Sequence, residues 1–212
     1  SFSQRSIVNR LGVSNMKIEI SERENMLPII KSDRLILRDI SLSDITQDYI
    51  DWLNDYDTVK FLEIRLINQT RERVEAYIRQ KLLDTSNCKH FGIYDNNGSR
   101  LVGTITIPEI NYDLFHSTAG ISFVIGNKDV QGMGYATEAL KSLTYYMFNY
   151  TNIEKLWGGY YDGHTATEKI FKKCGFIYEA RLKKQLINYK GERVDRIFVG
   201  LLRDEYLEYT HS

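Results

Sequence analysis

Twenty residues, Ile121-Ser-Phe-Val-Ile-Gly-Asn-Lys-Asp-Val-Gln-Gly-Met-Gly-Tyr-Ala-Thr-Glu-Ala-Leu140, constrain the fold more than any other part of this chain. They read as the end of a strand, a glycine-bearing turn, and a helix with Ala136, Ala139, Leu140, Leu143 and Met147 on one face. The loop Gln131-Gly-Met-Gly-Tyr-Ala136 also carries chemical meaning. Gly132 and Gly134 let the backbone turn sharply and approach a ligand with no Cβ in the way. The first N–H groups of the helix have no intrahelical partner, and the positive end of its dipole lies beside them. Such a corner holds anions, phosphate above all. The same spacing also serves as a plain strand-to-helix turn. The dinucleotide fingerprint G-x-G-x-x-G does not fit, because Thr137 stands where its third glycine belongs. A P-loop is excluded because no Gly-Lys-Ser/Thr follows.

The rest of the chain completes a layered pattern. Residues 34–40 alternate and read as a strand. Ser43 reads as an N-cap with Asp44 in the first turn, and Ile45, Tyr49, Trp52 and Leu53 follow at helical spacing. Thr70 caps a second helix with Val74, Tyr77, Ile78 and Leu82 on its apolar face. Residues 90–94 and 101–107 read as strands joined through a turn at 95–98. Residues 118–125, 156–161 and 193–202 are further strands, and 165–173 is a short helix stopped at Gly175. The order β-α-α-β-β-β-α-β-α-β predicts a single α/β (α+β) domain, a mixed central sheet flanked by helices. No repeat or linker interrupts it, so residues 16–212 are taken as the domain. Residues 1–15 lack the apolar stretch of a signal peptide and precede Met16; they read as a tag or a disordered N-terminus.

Charge narrows the partners. Lys plus Arg equals Asp plus Glu at 28 each, so no global field draws the chain to nucleic acid or an anionic membrane. No apolar run approaches the roughly eighteen residues of a membrane span. Cys88 and Cys174 are too far apart for a disulfide framework or a metal-ligand spacing, so no metal is expected and a reducing, cytoplasmic setting fits. Cys174 falls in the core phase of its helix alongside Ile170, which argues against a covalent acyl-enzyme.

Gln131-x-x-Gly134-x-Ala136 resembles the Arg/Gln-x-x-Gly-x-Gly/Ala signature of the GNAT superfamily of N-acetyltransferases. Gly163-His-Thr-Ala-Thr-Glu-Lys-Ile-Phe-Lys-Lys-Cys-Gly-Phe176 resembles the family's Asn-x-x-Ser…Gly-Phe helix, and the segments 175–182 and 199–205 are similar to the RimJ/RimL-like ending. The resemblance implies an acetyl-CoA-dependent transfer of acetyl to a primary amine. It implies that Gln131, Gly132, Met133, Gly134, Tyr135, Ala136 and Thr137 wrap the pyrophosphate of coenzyme A. Phe123, Val124 and Ile125 would serve the pantetheine arm, and His164 and Phe171 would complete the cofactor site. Asp51-Trp-Leu-Asn-Asp55, Phe61-Leu-Glu-Ile-Arg65 and Gly126-Asn-Lys-Asp129 are similar to GNAT members of surface-polysaccharide and nucleotide-sugar pathways, which points to an amino sugar or sugar nucleotide as acceptor. A peptide N-terminus is the enzymatic alternative, and a non-catalytic coenzyme A-binding module the other. A homodimer is one assembly the sequence allows.

His116, in a turn between strands, is the first candidate for the base because histidine titrates near neutrality. Glu109 is the second. Gly120 stands where several family members carry a glutamate, and Phe171 where many carry an acidic tyrosine. Thr167, in the place of the motif's serine, is the candidate to hydrogen-bond the sulfur, and His164 replaces the usual asparagine. Glu63 and Arg65 lie where the family shapes its acceptor pocket; Arg65 would suit a phosphate. An exposed turn histidine, surface carboxylates, a helix-surface threonine and a solvated ion pair are the plain readings of the same residues.

Overall fold

The computed structural model describes residues 16–24, 26–83, 88–95, 98–108, 110–111 and 116–206. Their strands are β1 (Glu19–Ser21), β2 (Ile29–Lys31), β3 (Leu35–Asp39), β4 (Lys89–Asp95), β5 (Leu101–Ile107), β6 (Ile110–Asn111), β7 (Thr118–Ile125), β8 (Lys155–Tyr161), β9 (Ile177–Ile187) and β10 (Arg193–Leu202). The helices are α1 (Gln47–Asn54), α2 (Tyr56–Val59), α3 (Arg71–Leu83), α4 (Tyr135–Tyr150) and α5 (Thr165–Lys173). One sheet runs β1-β2-β3-β4-β5-β7-β8-β10-β9, with β6 paired to β7. Neighbours are antiparallel except β7 and β8, which are parallel with α4 as their crossover. No helix among the described residues is long and apolar enough to cross a membrane.

Strand alternation sends side chains to two faces. Phe91, Ile93, Ile105 and Ile107 join α4 and α5 in the larger core. α4 is almost wholly buried, which its run of small and apolar residues permits. On the other face a smaller core joins Ile40, Ile45, Tyr49, Trp52, Val74 and Ile78. His90, Thr104 and Thr106 lie on the same strands as the isoleucines but at the opposite parity.

The first helix begins later than its sequence suggests. Ser41, not Ser43, makes a capping box with Asp44 around a single 3-10 turn, and α1 opens at Thr46, whose hydroxyl accepts from the Tyr49 N–H at 3.3 Å. Thr70 does cap α3, accepting from the Arg73 N–H at 3.4 Å, although Tyr77 and Leu82 stay partly exposed there. Gly175, with φ of 85°, ends α5 as predicted. β1, β2 and β9 carry no sequence signal of alternation. β9 is an edge strand exposed along nearly its whole length, and it bends at Lys184 (φ 54°), where the N–H leaves the ladder for the Asp195 carboxylate.

Trp52 seats α1 on the end of β7. A Cβ on Gly126 would overlap its indole, so the two elements meet at that glycine. Gly126→Ala is expected to cost about 1–3 kcal/mol by overpacking, seen as a lower midpoint in urea or thermal unfolding. An unchanged midpoint would show that the indole is not held against the strand.

Candidate functional site

The site begins where β7 and β8 part. They are paired from Thr118↔Lys155 to Ile121↔Gly158. Beyond that, β7 stays paired with β5 alone, from Thr106↔Ser122 to Gly103↔Ile125. The edge of residues 122–125 that faces β8 therefore has no strand partner, and its peptide groups line an opening wedge. Two cavities meet there. An inner cavity of about 510 Å³ lies between the sheet and helices α1 and α3, walled by Tyr49, Val74, Tyr77, His90, Thr104 and Thr106. A loop cavity of about 610 Å³ lies over the start of α4, against Ile125, Gln131, Gly132, Gly134, Ala136 and Thr137. Phe61, Phe123, Val124, His164 and Thr167 line both.

The loop is shaped by backbone and held by one buried carboxylate. Gly132 and Gly134 have φ of 77° and 84°, which side chains with a Cβ rarely adopt. Gln131 Nε2 donates to the Ile125 carbonyl at 2.8 Å, folding the loop back on β7. From the first turns of α4, the buried Glu138 carboxylate accepts from Ser32 Oγ at 2.9 Å, the Arg34 N–H at 2.8 Å and Arg34 Nε at 2.6 Å. Arg34 in turn donates to the Met133 carbonyl at 2.9 Å and lies over the Tyr135 ring. The free N–H groups of α4 thus point into a rigid cradle. Of the lysines on its walls, Lys60 is paired with Asp57 at 3.1 Å, while Lys169 and Lys173 leave the positive charge in excess there.

At the junction, the His164 ring lies flat on Phe61, with centroids 4.0 Å apart, and its Nδ1 is 3.1 Å from Thr167 Oγ1. Phe61 belongs to a strap of residues 61–66 across the wedge. Arg65 fastens that strap, donating to the Leu62 carbonyl at 2.8 Å, Tyr161 Oη at 3.1 Å and the Ile187 carbonyl at 2.6 Å.

Most of the residues expected at the cofactor site line the loop cavity; Met133 does not, being exposed with its carbonyl turned to Arg34. Phe171 is packing: it is buried among Phe123, Tyr160 and Phe176 and touches only the inner cavity. Glu63 lines the inner cavity, but Arg65 lines neither, because its guanidinium is spent on the strap. His116 is exposed in the turn before β7, at the end remote from the wedge. Five residues lie between it and Ser122, and the strand from Thr118 to Ser122 alone spans roughly 13 Å, which removes it as the base at this junction. Glu109 lies outside the described residues. Cys174 is buried with its thiol donating to the Thr137 carbonyl at 3.6 Å, and burial pushes it up to about 12, so it is no thiolate nucleophile. His90, Tyr160, Tyr161, Arg196 and the three lysines were missed by sequence reasoning. The alternation of Thr104 and Thr106 with Ile105 and Ile107 was the one signal that could have exposed a polar wall.

Comparison with known proteins agrees with this architecture. The model of the family described as acetyltransferase (GNAT) domain matches residues 34–177. A Bacillus subtilis (strain 168) protein named "Probable N-acetyltransferase YjcK" is 21% identical over 164 residues, covering 74% of this chain and 88% of its own. The spermidine N-acetyltransferase from Vibrio cholerae in complex with CoA and spermine is 20% identical with a TM-score of 0.70, over 82% of this chain and 98% of that one. RimL, the ribosomal L7/L12 alpha-N-protein acetyltransferase in complex with coenzyme A, is 16% identical with a TM-score of 0.73, over 84% and 99%. At these identities the two structures show a shared fold.

Two histidines of the site are held neutral. Burial, then Lys81, brings His90 down to about 4; burial, then Lys60, does the same for His164. In the unfolded chain each takes up its proton near pH 6.5. Between about pH 6.5 and 4 the unfolded state therefore binds more protons, and stability falls as pH falls through that window. Urea midpoints are expected to drop from pH 7 to pH 4.5, less steeply in His90→Gln. A wild-type midpoint flat over this range would mean that both imidazoles are protonated in the fold.

Proposed function

We propose, since this chain belongs to the GNAT acetyltransferase family and is an acyltransferase, that it moves acetyl from acetyl-CoA directly to a primary amine, an amino sugar or sugar nucleotide being the favoured acceptor. The observation that carries this reading is the wedge after Ile121↔Gly158, with the α4 cradle at one end and the inner cavity at the other. A cofactor with a pyrophosphate and a diamide arm fits that shape. The N–H groups of α4 and the neighbouring lysines suit the pyrophosphate, and the unpaired edge of residues 122–125 suits the amides as a further strand would.

Bound there, the cofactor supplies an activated acyl group and a thiolate leaving group. The chain's own work is positioning and polarisation. Cavities that meet at one junction bring amine and acyl carbon together, which supplies much of the rate. N–H groups on the open edge of β7 donate to the carbonyl oxygen. With His164 donating from Nδ1 to Thr167 Oγ1, the threonine proton is left for the sulfur. Tyr161, whose oxygen accepts from Arg65, lines the inner cavity with an O–H that can act as a second donor. Deprotonation of the amine falls to water in that cavity.

For the acceptor, the supporting observation is charge. Among the described residues that line the inner cavity, Glu63 is the one carboxylate, set against Arg196. A polyamine finds little to pair with there, whereas a neutral hydroxylated amine, or one tethered to phosphate, does.

Two expected outcomes test the site. Gly134→Val forces a β-branched residue to φ near 84° and is expected to raise KM for acetyl-CoA at least about tenfold; an unchanged KM sinks the pyrophosphate assignment. Thr167→Val is expected to lower kcat about 10- to 100-fold, the worth of a hydrogen bond to a charged group, with KM for acetyl-CoA little altered. Thiol release would be measured against an amino-sugar nucleotide, glucosamine, spermidine and an N-terminal peptide. Turnover of the peptide alone would reassign the acceptor.

A further inference from the structure

The inner cavity ends on a polar row that the acyl-transfer chemistry does not use. His90 on β4 is in register with Thr106 on β5, and Thr106 with Ser122 on β7. Side chains in register across adjacent strands share a face, and all three line the cavity. The row starts at Ser122, the first residue of β7 beyond the parting of the strands. It crosses two strand spacings, roughly 10 Å, to the far wall between β4 and α3.

His90 is the informative member. It is 9% exposed, its Nδ1 lies 2.6 Å from Thr106 Oγ1, and its Nε2 is buried with no hydrogen-bond partner. Tyr77 meets it edge to face at 5.3 Å. A buried polar atom without a partner is costly, about 1–3 kcal/mol. An apolar residue in this place would avoid that cost, as Ile105 and Ile107 do on the opposite face. The imidazole is neutral, so it carries no charge that demands a counter-ion. Thr106 can donate to Nδ1 or accept from it, which leaves Nε2 a donor or an acceptor. A hydroxyl satisfies either state.

We infer that the row of His90, Thr106 and Ser122 is a hydroxyl-recognition wall, and that the acceptor carries its amine on an uncharged, polyhydroxylated frame that reaches from the junction to His90. This rests on the acetyltransferase reading above and adds to it the residues that read the acceptor. The amine sits at the Ser122 end, beside the open edge of β7, and the frame's hydroxyls face Thr106 and His90. A six-membered ring with its exocyclic oxygens covers most of that span. A linear polyamine with its amines protonated brings donors only, so it could satisfy Nε2 only in the acceptor state.

The test compares glucosamine with cyclohexylamine, the same ring without its oxygens, in the wild type, Thr106→Val, His90→Gln and His90→Phe. Taking each variant relative to wild type for one amine cancels the different basicities of the two amines. Thr106→Val is expected to lower kcat/KM for glucosamine about five- to tenfold, the effect of one neutral hydrogen bond, with no change for cyclohexylamine or in KM for acetyl-CoA. His90→Phe should match or exceed that loss, and His90→Gln, whose amide can reach the place of Nε2, should restore much of it. Equal losses for both amines at an unchanged melting temperature would overturn the inference. So would acetyl-CoA binding with turnover of cyclohexylamine or spermidine but not of glucosamine, or with turnover of no hydroxylated amine. If acetyl-CoA does not bind and no amine is turned over, the acetyltransferase reading itself fails, and this inference with it.

Discussion

Everything in this molecule is arranged around two parallel strands that stop pairing. A sheet normally satisfies each peptide group with a neighbour, and β7 and β8 obey that rule for four registered pairs. Past Ile121 the rule lapses on one edge. The vacated hydrogen-bonding positions, more than any single side chain, define where a ligand with amides of its own can lie. The two cavities, the strap and the polar row are all placed relative to that parting.

Holding the wedge open needs rigid supports on both sides. On the α4 side the support is Glu138, buried yet fully engaged by Ser32 and Arg34. A buried carboxylate is tolerable only when its oxygens are satisfied. These partners come from the turn before β3, more than a hundred residues upstream, and the result is a fixed loop between strand and helix. On the other side the strap carries Phe61 onto His164, and Arg65 ties it to β8 and the end of β9. The arginine that looked like a ligand group is instead a fastener, and the histidine that replaces the family's asparagine is stacked as well as hydrogen-bonded.

The fold was largely legible because its elements carry strong periodic signals. β5, β7, α4 and α5 lie where alternation, glycine positions and apolar faces put them. β9 was not legible because an exposed edge strand needs no buried alternation, and β1 and β2 are too short to show a period. The loop around Gly134 could be read for the same reason that it works: positive φ demands glycine. The inner cavity could not, because His90, Tyr77 and Tyr161 come from β4, α3 and β8, and only tertiary packing brings them together. His116 shows the converse error. Histidine's chemistry was right for a base, but the direction of β7 puts it at the wrong end of the strand.

The contact between Glu138 and Arg34 joins the anion cradle to the amino-terminal strands. Free energy gained when a ligand settles into the cradle must then be spent again before β2 and β3 can detach, since detaching them removes Arg34 and strands the carboxylate. Local opening of those strands and occupancy of the cradle are therefore linked equilibria. Backbone amides near Leu35, on the far side of Arg34 from the cradle, should exchange their hydrogens more slowly as the cradle fills, and the first strands of the sheet become a gauge of saturation.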